Sequence, residues 1–253
     1  MSTTKRTQPV LRSKRTGKRL SGIKDPVIFD SPPTTWRQLQ SRVCQAFEEM
    51  GCQSVENRKV RSARGHVTVD VLVDDSGVAP PKRYFCECKY WKRRVPQNQI
   101  HAFRTVVADC GAQSGFIISR NGFQRGAKRA TAHTNVVLLT WDEFIKKFTA
   151  RWFAAMCSRV EKRRSRLLEL MRRAFWRFGP QRPHAWGRWL GNRQEEQWLL
   201  SVASLARTDQ WELLSLLFPP GGGLDGFGSA REYFDYVVPH LDRAIERWER
   251  RLA

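Results

Sequence analysis

The sequence predicts an α/β fold, a mixed β-sheet flanked by helices, followed by an additional all-helical C-terminal domain. Three observations carry this expectation. Val67-Thr68-Val69-Asp70-Val71-Leu72-Val73 alternates with period two and places four valines on one strand face. Short apolar or aromatic runs at 84–91, 115–119 and 136–139 then alternate with stretches of helical spacing, the signature of a sheet layered with helices. From Asp142 to Phe178 the helical period is unbroken until Gly179-Pro180 stops it.

Taken in order, Ser31-Pro32-Pro33 precedes a capping-box pattern at Thr35 and Gln38 that opens the first helix. Leu39, Val43, Ala46, Phe47 and Met50 follow at helical spacing, and Gly51 ends it. A first short strand is expected over roughly 52–57, then the valine strand, each buried valine contributing about 1.5–3 kcal/mol toward fixing its register. Asp74-Asp75-Ser76-Gly77 and Pro80-Pro81 make a turn into the aromatic strand Tyr84–Trp91. A helix from Pro96 to Gly111 follows, with Ile100, Phe103, Val106 and Val107 on its apolar face. Gly115–Ser119 is a strand, Gln124–His133 a short helix and Val136–Leu139 a last strand. Thr140 and Glu143 form the capping box of the long helix. Further helices fit 192–206 and 209–217, and Ser229 with Glu232 caps a final one to about Arg250.

Composition narrows the partners. The 253 residues hold 45 Lys+Arg against 24 Asp+Glu, a formal charge of +21 and a pI near 10.6. Residues 1–30 carry 8 basic against 2 acidic side chains, 31–150 carry 19 against 10 and 151–253 carry 18 against 12, so the excess runs along the whole chain. Nucleic acid is the expected polyanion, ahead of an acidic protein or a membrane surface. With 41% hydrophobic residues the chain can build a core, and no run of 18 apolar residues marks a membrane span. The N-terminus lacks the apolar stretch of a secretory signal. Six scattered cysteines without zinc-type spacing fit reduced thiols of a cytoplasmic protein. Three regions follow: a disordered basic arm over 1–30, an α/β domain over 31–150 and a basic, Trp-rich helical domain over 151–253. The arm serves equally as a nucleic-acid tether or a solubilising tail, because a charge run alone carries no geometry.

Asp70 breaks a local rule, since aspartate is disfavoured inside strands and a buried, unpaired carboxylate costs several kcal/mol. Glu87 and Lys89 break it again one strand later and share a face by the two-residue period. If the strands are neighbours, these residues meet on one side of the sheet. Two carboxylates suit Mg²⁺, and a lysine beside them suits phosphodiester hydrolysis. A salt bridge with no chemistry stands as the alternative.

Asp70 followed by Glu87-Cys88-Lys89 resembles the active-site signature of the PD-(D/E)xK nuclease superfamily, and its surroundings resemble the Mrr-like restriction endonuclease branch. The matching segments are Val69–Val73, Glu87–Trp91, Val95–Phe103, Gly111–Ser119, Gly122–Ala127 and Leu138–Trp141, over about residues 35–148. The resemblance implies a restriction-endonuclease-like αβββαβ core and a DNA endonuclease. It implies Asp70, Glu87 and the Cys88 backbone carbonyl as ligands of Mg²⁺ (Mn²⁺ substituting), and Lys89 as the water-orienting residue. Val69 replaces the proline of the motif's name. Gln40 stands where the first-helix glutamate is expected, and Glu48 and Glu49 later on that helix read as solvated charges. Gln99 is the candidate phosphate- or water-contacting residue after the strand; a solvent-facing glutamine is its alternative, and His101 reads as a surface or packing histidine. Lys92, Arg93 and Arg94, with Arg125, Lys128 and Arg129 on the short helix, are the candidate DNA-binding residues.

Arg159, Lys162, Arg163, Arg164, Arg166, Arg172, Arg173 and Arg177 make the long helix basic around an apolar stripe that includes Leu167, Leu168 and Met171. The expectation is burial of the stripe and a basic side available to DNA. The tryptophans beyond it are expected in the core. The function expected is metal-dependent hydrolysis of double-stranded DNA in defence against foreign DNA, in a bacterial, nucleoid-associated setting with no membrane partner. A homodimer would supply the two active sites that cutting both strands takes. A catalytically inactive DNA-binding or assembly protein, or a repair or recombination nuclease, is the alternative.

Overall fold

The computed structural model describes residues 26–179, 189, 193–204 and 227–253. Helix α1 spans Trp36–Glu49, strands β1 Gln53–Ser62, β2 Gly65–Asp75 and β3 Lys82–Lys89 follow, then α2 Gln97–Asp109, β4 Ser114–Ser119, α3 Arg125–Arg129 and β5 Val136–Thr140. Helices α4 Trp141–Phe178, α5 Gln194–Ser204 and α6 Ala230–Leu252 complete the described elements. The five strands lie in chain order, antiparallel from β1 to β3 and parallel from β3 to β5. This is the mixed sheet with flanking helices that the period changes predict, with the extra helical region behind it.

One sheet face is covered by α1 and α4, through Val43, Phe47, Val71, Val73, Phe116, Phe144 and Phe148. The other is covered by α2 and α3, through Leu72, Phe85, Ile100, Phe103, Val107, Ile117 and Ala127. Gly115 lets α2 sit directly on β4: a methyl there would meet Phe103 and Val107 at 2.6 Å. Thr140 and Glu143 form the expected capping box, and Ser229 accepts from the Glu232 amide at 3.0 Å. At α1 the box is shifted by one residue. Thr35 caps the Gln38 amide, but the Gln38 carboxamide reaches back to the Thr34 amide at 2.6 Å.

Several expectations change. The four valines do not share a face: Val71 and Val73 enter the α1–α4 layer, whereas Val69 packs with Leu72 in the α2 layer. The strand is buried on both sides there and is distorted opposite Asp70, where Asn57 holds φ at 50°. β1 is longer than expected because it pairs along the whole length of β2. β3 stops at Lys89, paired with the last residue of β4, so Tyr90 and Trp91 fall in the following loop. α3 is shorter because the Thr131 and Thr134 hydroxyls donate to the carbonyls of Lys128 and Thr131, turning the chain away from helix. The expected helix over 209–217 and residues 1–25 of the arm lie outside the described residues.

The chain's second half joins the first through its core. Residues 26–30, assigned by sequence to the arm, are folded, with Ile28 fully buried. α4 has 38 residues, about 57 Å at 1.5 Å each, and crosses residue 150 without a break. One continuous cluster runs from Ile28 and α1 through Trp152, Met156, Val160 and Leu167 of α4 to Leu199 of α5 and Tyr233, Leu241 and Trp248 of α6. Glu49 is not a solvated charge. Its carboxylate meets Arg231 of α6 at 2.7 Å and the Trp152 indole N–H at 2.6 Å, because α4 and α6 close over the end of α1. Arg151 similarly ties α4 to buried Asp75 at the end of β2, at 2.6 and 2.9 Å. All six cysteines are free thiols. Among the described residues no helix is long and apolar enough to cross a membrane.

Candidate active site

The residues that break strand rules gather where β2 and β3 part. Their ladder runs from Asp75–Lys82 to Val71–Cys86 and stops one pair short of Asp70 and Glu87. With that pairing gone, the Asp70 carboxylate turns into the gap and accepts the Cys88 amide on Oδ2 at 2.7 Å. One residue on, the Lys89 carbonyl faces β4 and accepts from the Arg120 amide at 3.1 Å. Successive carbonyls of a strand point to opposite edges, so the Cys88 carbonyl faces the gap beside Asp70.

Glu87 and Lys89 project from the same face of β3, as their spacing requires, and pair at 2.5 Å with side chains only 23% and 15% exposed. Burial raises the Glu87 carboxyl above its usual range, the nearby Asp70 charge adds to that, and Lys89 opposes it. Two carboxylates held close and partly desolvated, with one lysine paired to Glu87, form a site short of positive charge. Lys89 also lies 5.1 Å from the centre of the Trp91 ring, which Arg93 shares at 5.6 Å. Burial drives the Cys86 and Cys88 thiols well above the ordinary thiol range, leaving them protonated and poor metal ligands.

The donor set of two carboxylates and one carbonyl is all oxygen, which fits Mg²⁺ or Mn²⁺. Among the described residues no group of three or more His, Cys, Asp or Glu side chains is assembled as for a metal, in keeping with Gln40 in place of a third carboxylate. Gln40 itself is buried on α1.

The loops after β3 and β4 are clamped together at this end of the sheet. Asn121 donates to the Lys92 carbonyl at 2.6 Å, Val95 and Gly122 share a backbone bond at 3.0 Å, and Val95 bridges Phe123. Lys92, Arg93 and Arg94 stand exposed on the first loop, and Arg125, Lys128 and Arg129 are exposed on α3. Arg94 and Lys128 converge on a cavity of about 600 Å³ floored by Val136, Val137 and Leu138. Gln99, half-buried in the first turn of α2, makes no side-chain hydrogen bond among the described residues. Gln97 and His101 are exposed and bond to each other at 3.0 Å. Sequence reasoning missed Arg120, exposed directly after β4 with its guanidinium 4.6 Å from the Tyr90 ring centre. A basic residue closing an apolar parallel strand was the signal available.

Comparison with known proteins agrees with the segments quoted above. Residues 33–148 match the family model of the Mrr-type restriction endonuclease catalytic domain. Among curated proteins none matches. Two solved structures show partial likeness. One is a protein of unknown function, AF1548, at 20% identity and a TM-score of 0.37, covering 42% of this chain and 58% of that one. The other is the MspJI restriction endonuclease in complex with a 27-mer oligonucleotide, at 21% identity and a TM-score of 0.30, covering 46% of this chain and 27% of that one. The chain thus spans less than two thirds of the length of either protein.

Proposed function

We propose, since residues 33–148 match the restriction endonuclease family model, that this protein is a divalent-metal-dependent endonuclease of double-stranded DNA serving defence against foreign DNA. The single observation that carries the reading is the meeting of Asp70, Glu87 and Lys89 at the parting of β2 and β3. A phosphodiester is cleaved when a water oxygen bonds to phosphorus, the bridging P–O bond breaks and a proton ends on the departing oxygen. Asp70, Glu87 and the Cys88 carbonyl would hold Mg²⁺, which when bound lowers the pKa of a water and offsets charge on the phosphate.

The chain's own residues do the rest. The Cys88 amide fixes the Asp70 carboxylate, so one oxygen is aimed before any ligand arrives. Lys89, freed from Glu87 once that carboxylate is otherwise engaged, donates to the attacking water or to a non-bridging oxygen. Gln99 supplies a second donor at the start of α2. Lys92, Arg93, Arg94, Arg125, Lys128 and Arg129 neutralise flanking phosphates. The C-terminal helices complete the apolar core beneath the sheet, and a homodimer would bring two sites to the two strands.

The closed Glu87–Lys89 pair favours one competing reading, a DNA-binding protein without catalysis. Plasmid DNA incubated with the full chain and with Lys89→Ala, each with Mg²⁺ or Mn²⁺ and then with chelator, separates them. The endonuclease reading expects metal-dependent nicking by the wild type that chelator abolishes and Lys89→Ala lowers by about 100-fold or more. Equal behaviour of both proteins on plain and methylated DNA would refute it.

A further inference from the structure

The β1–β2 ladder extends past the point where β3 leaves β2. Its last pairs, Arg58–Val69, Lys59–Thr68, Val60–Val67, Arg61–His66 and Ser62–Gly65, form a two-stranded ribbon that begins immediately beside Asp70. At about 3.3 Å per residue this ribbon is roughly 17 Å long. Between Asn57 and Val69 it holds Arg58, Lys59, Arg61 and Arg64 and no acidic residue. Arg58, Lys59 and Arg61 are exposed and form no ion pair or side-chain hydrogen bond among the described residues. Arg64 instead pins the tip to α2, meeting Asp109 at 3.1 Å while the Ala63 amide donates to the Asp109 carbonyl at 3.1 Å.

The ribbon therefore has an inside and an outside. Val69 is buried in the α2 layer, and Val60 packs against it. Directly opposed residues share a face, so Arg58 with Val69 lies on the inner side, and Lys59 with Thr68 and Arg61 with His66 lie on the other. A held, cationic strip thus adjoins the site on the side away from the β3 and β4 loops. Each DNA strand carries one phosphate per about 3.4 Å of helix axis, so a strip of this length is long enough to reach more than one.

We propose that the β1–β2 ribbon is a DNA-backbone grip, in which Lys59 and Arg61 on its outer face neutralise phosphates of the duplex on one side of the scissile bond while the loops after β3 and β4 hold the other. The assignment rests on the endonuclease reading and adds the path of the DNA across the sheet end. It is rigid because its tip is fastened to α2, so little ordering is needed on binding.

The test is the salt dependence of duplex binding, without metal, by the full chain and by Lys59→Gln/Arg61→Gln. Over about 50 to 200 mM NaCl the slope of log K against log salt is expected to fall by about two, about 0.9 per lost phosphate contact. Lys59→Arg/Arg61→Lys, which keeps the charge, is expected to retain the wild-type slope. In cleavage, the double glutamine variant is expected to need more DNA for half-saturation while keeping its rate at saturation. An unchanged slope would overturn the grip, as would an equal change from the charge-matched Lys146→Gln/Lys147→Gln on α4, two exposed lysines, which would reduce the effect to net charge. A wild-type chain that binds no DNA and prefers an acidic protein would overturn the endonuclease reading and the grip together.

Discussion

Replacing Arg231 with methionine tests whether the C-terminal helices and the sheet form one cooperative unit. The Arg231 side chain is 8% exposed and its partner Glu49 12%. Its guanidinium donates to both Glu49 oxygens at 2.8 and 2.7 Å, to the Ile28 carbonyl at 2.7 Å and to Asp235 at 3.2 Å. It also sits against the Phe29 and Trp152 rings. Burial would raise the Glu49 carboxyl, but Arg231, Gln45 and Trp152 outweigh it and hold it below its usual range. Methionine fills much of the volume yet leaves that carboxylate buried with only Gln45 and Trp152 as donors. Removing one partner of a buried pair costs about 3–5 kcal/mol. With an m-value near 3 kcal/mol/M, the urea midpoint should fall by about 1–1.7 M. Glu49→Gln added to Arg231→Met removes the stranded charge and should recover at least about 1 kcal/mol. Tryptophan fluorescence and far-ultraviolet circular dichroism should report one coincident transition in every variant. A loss below about 1 kcal/mol, the value of an exposed pair, or two separate transitions would refute the reasoning.

Two further outcomes follow from charge. Glu87→Gln should lower cleavage more than about 100-fold, because several kcal/mol of charge stabilisation depend on the carboxylate, whereas thermal melting should show an unchanged or higher Tm since a repelled, desolvated charge is removed. A marked fall in Tm would mean that Glu87 is structural. Asp75, gripped by Arg151, is held below the usual carboxylate range despite its burial. A depressed folded value stabilises above the unfolded pKa near 3.9, and that stability disappears as pH falls through the folded value. Urea midpoints from about pH 2.5 to 7 should therefore drop on the acid side in the wild type, and Asp75→Asn should be about 1–2 kcal/mol less stable at neutral pH with a shallower acid limb. An equally steep acid limb in Asp75→Asn would place the titration elsewhere.

Local patterns were legible wherever the physics is local. The Thr140–Glu143 box and the Ser229 cap are hydrogen bonds between residues three apart, so the sequence names both partners. Glu87 and Lys89 were readable as a pair because the strand period puts neighbours two apart on one face. The valine strand was misread at the same place that makes the site. A strict period assumes a regular strand, and the distortion opposite Asn57 is set by where β3 leaves β2.

Composition and periodicity alone determined a basic protein with a mixed sheet, helices on both faces, a long capped helix and three polar residues that strands do not favour. The tertiary structure alone decided that Asp70 turns into the gap toward Cys88, 18 residues away, and that Glu49 is a buried ion-pair partner of Arg231, 182 residues away. It alone joined the two halves of the chain in a single apolar cluster and laid a cationic ribbon beside the carboxylates. The physical reason is range. Caps and strand faces are fixed by neighbours within a few residues, whereas the burial that turns a surface charge into a partner depends on which distant elements pack over it.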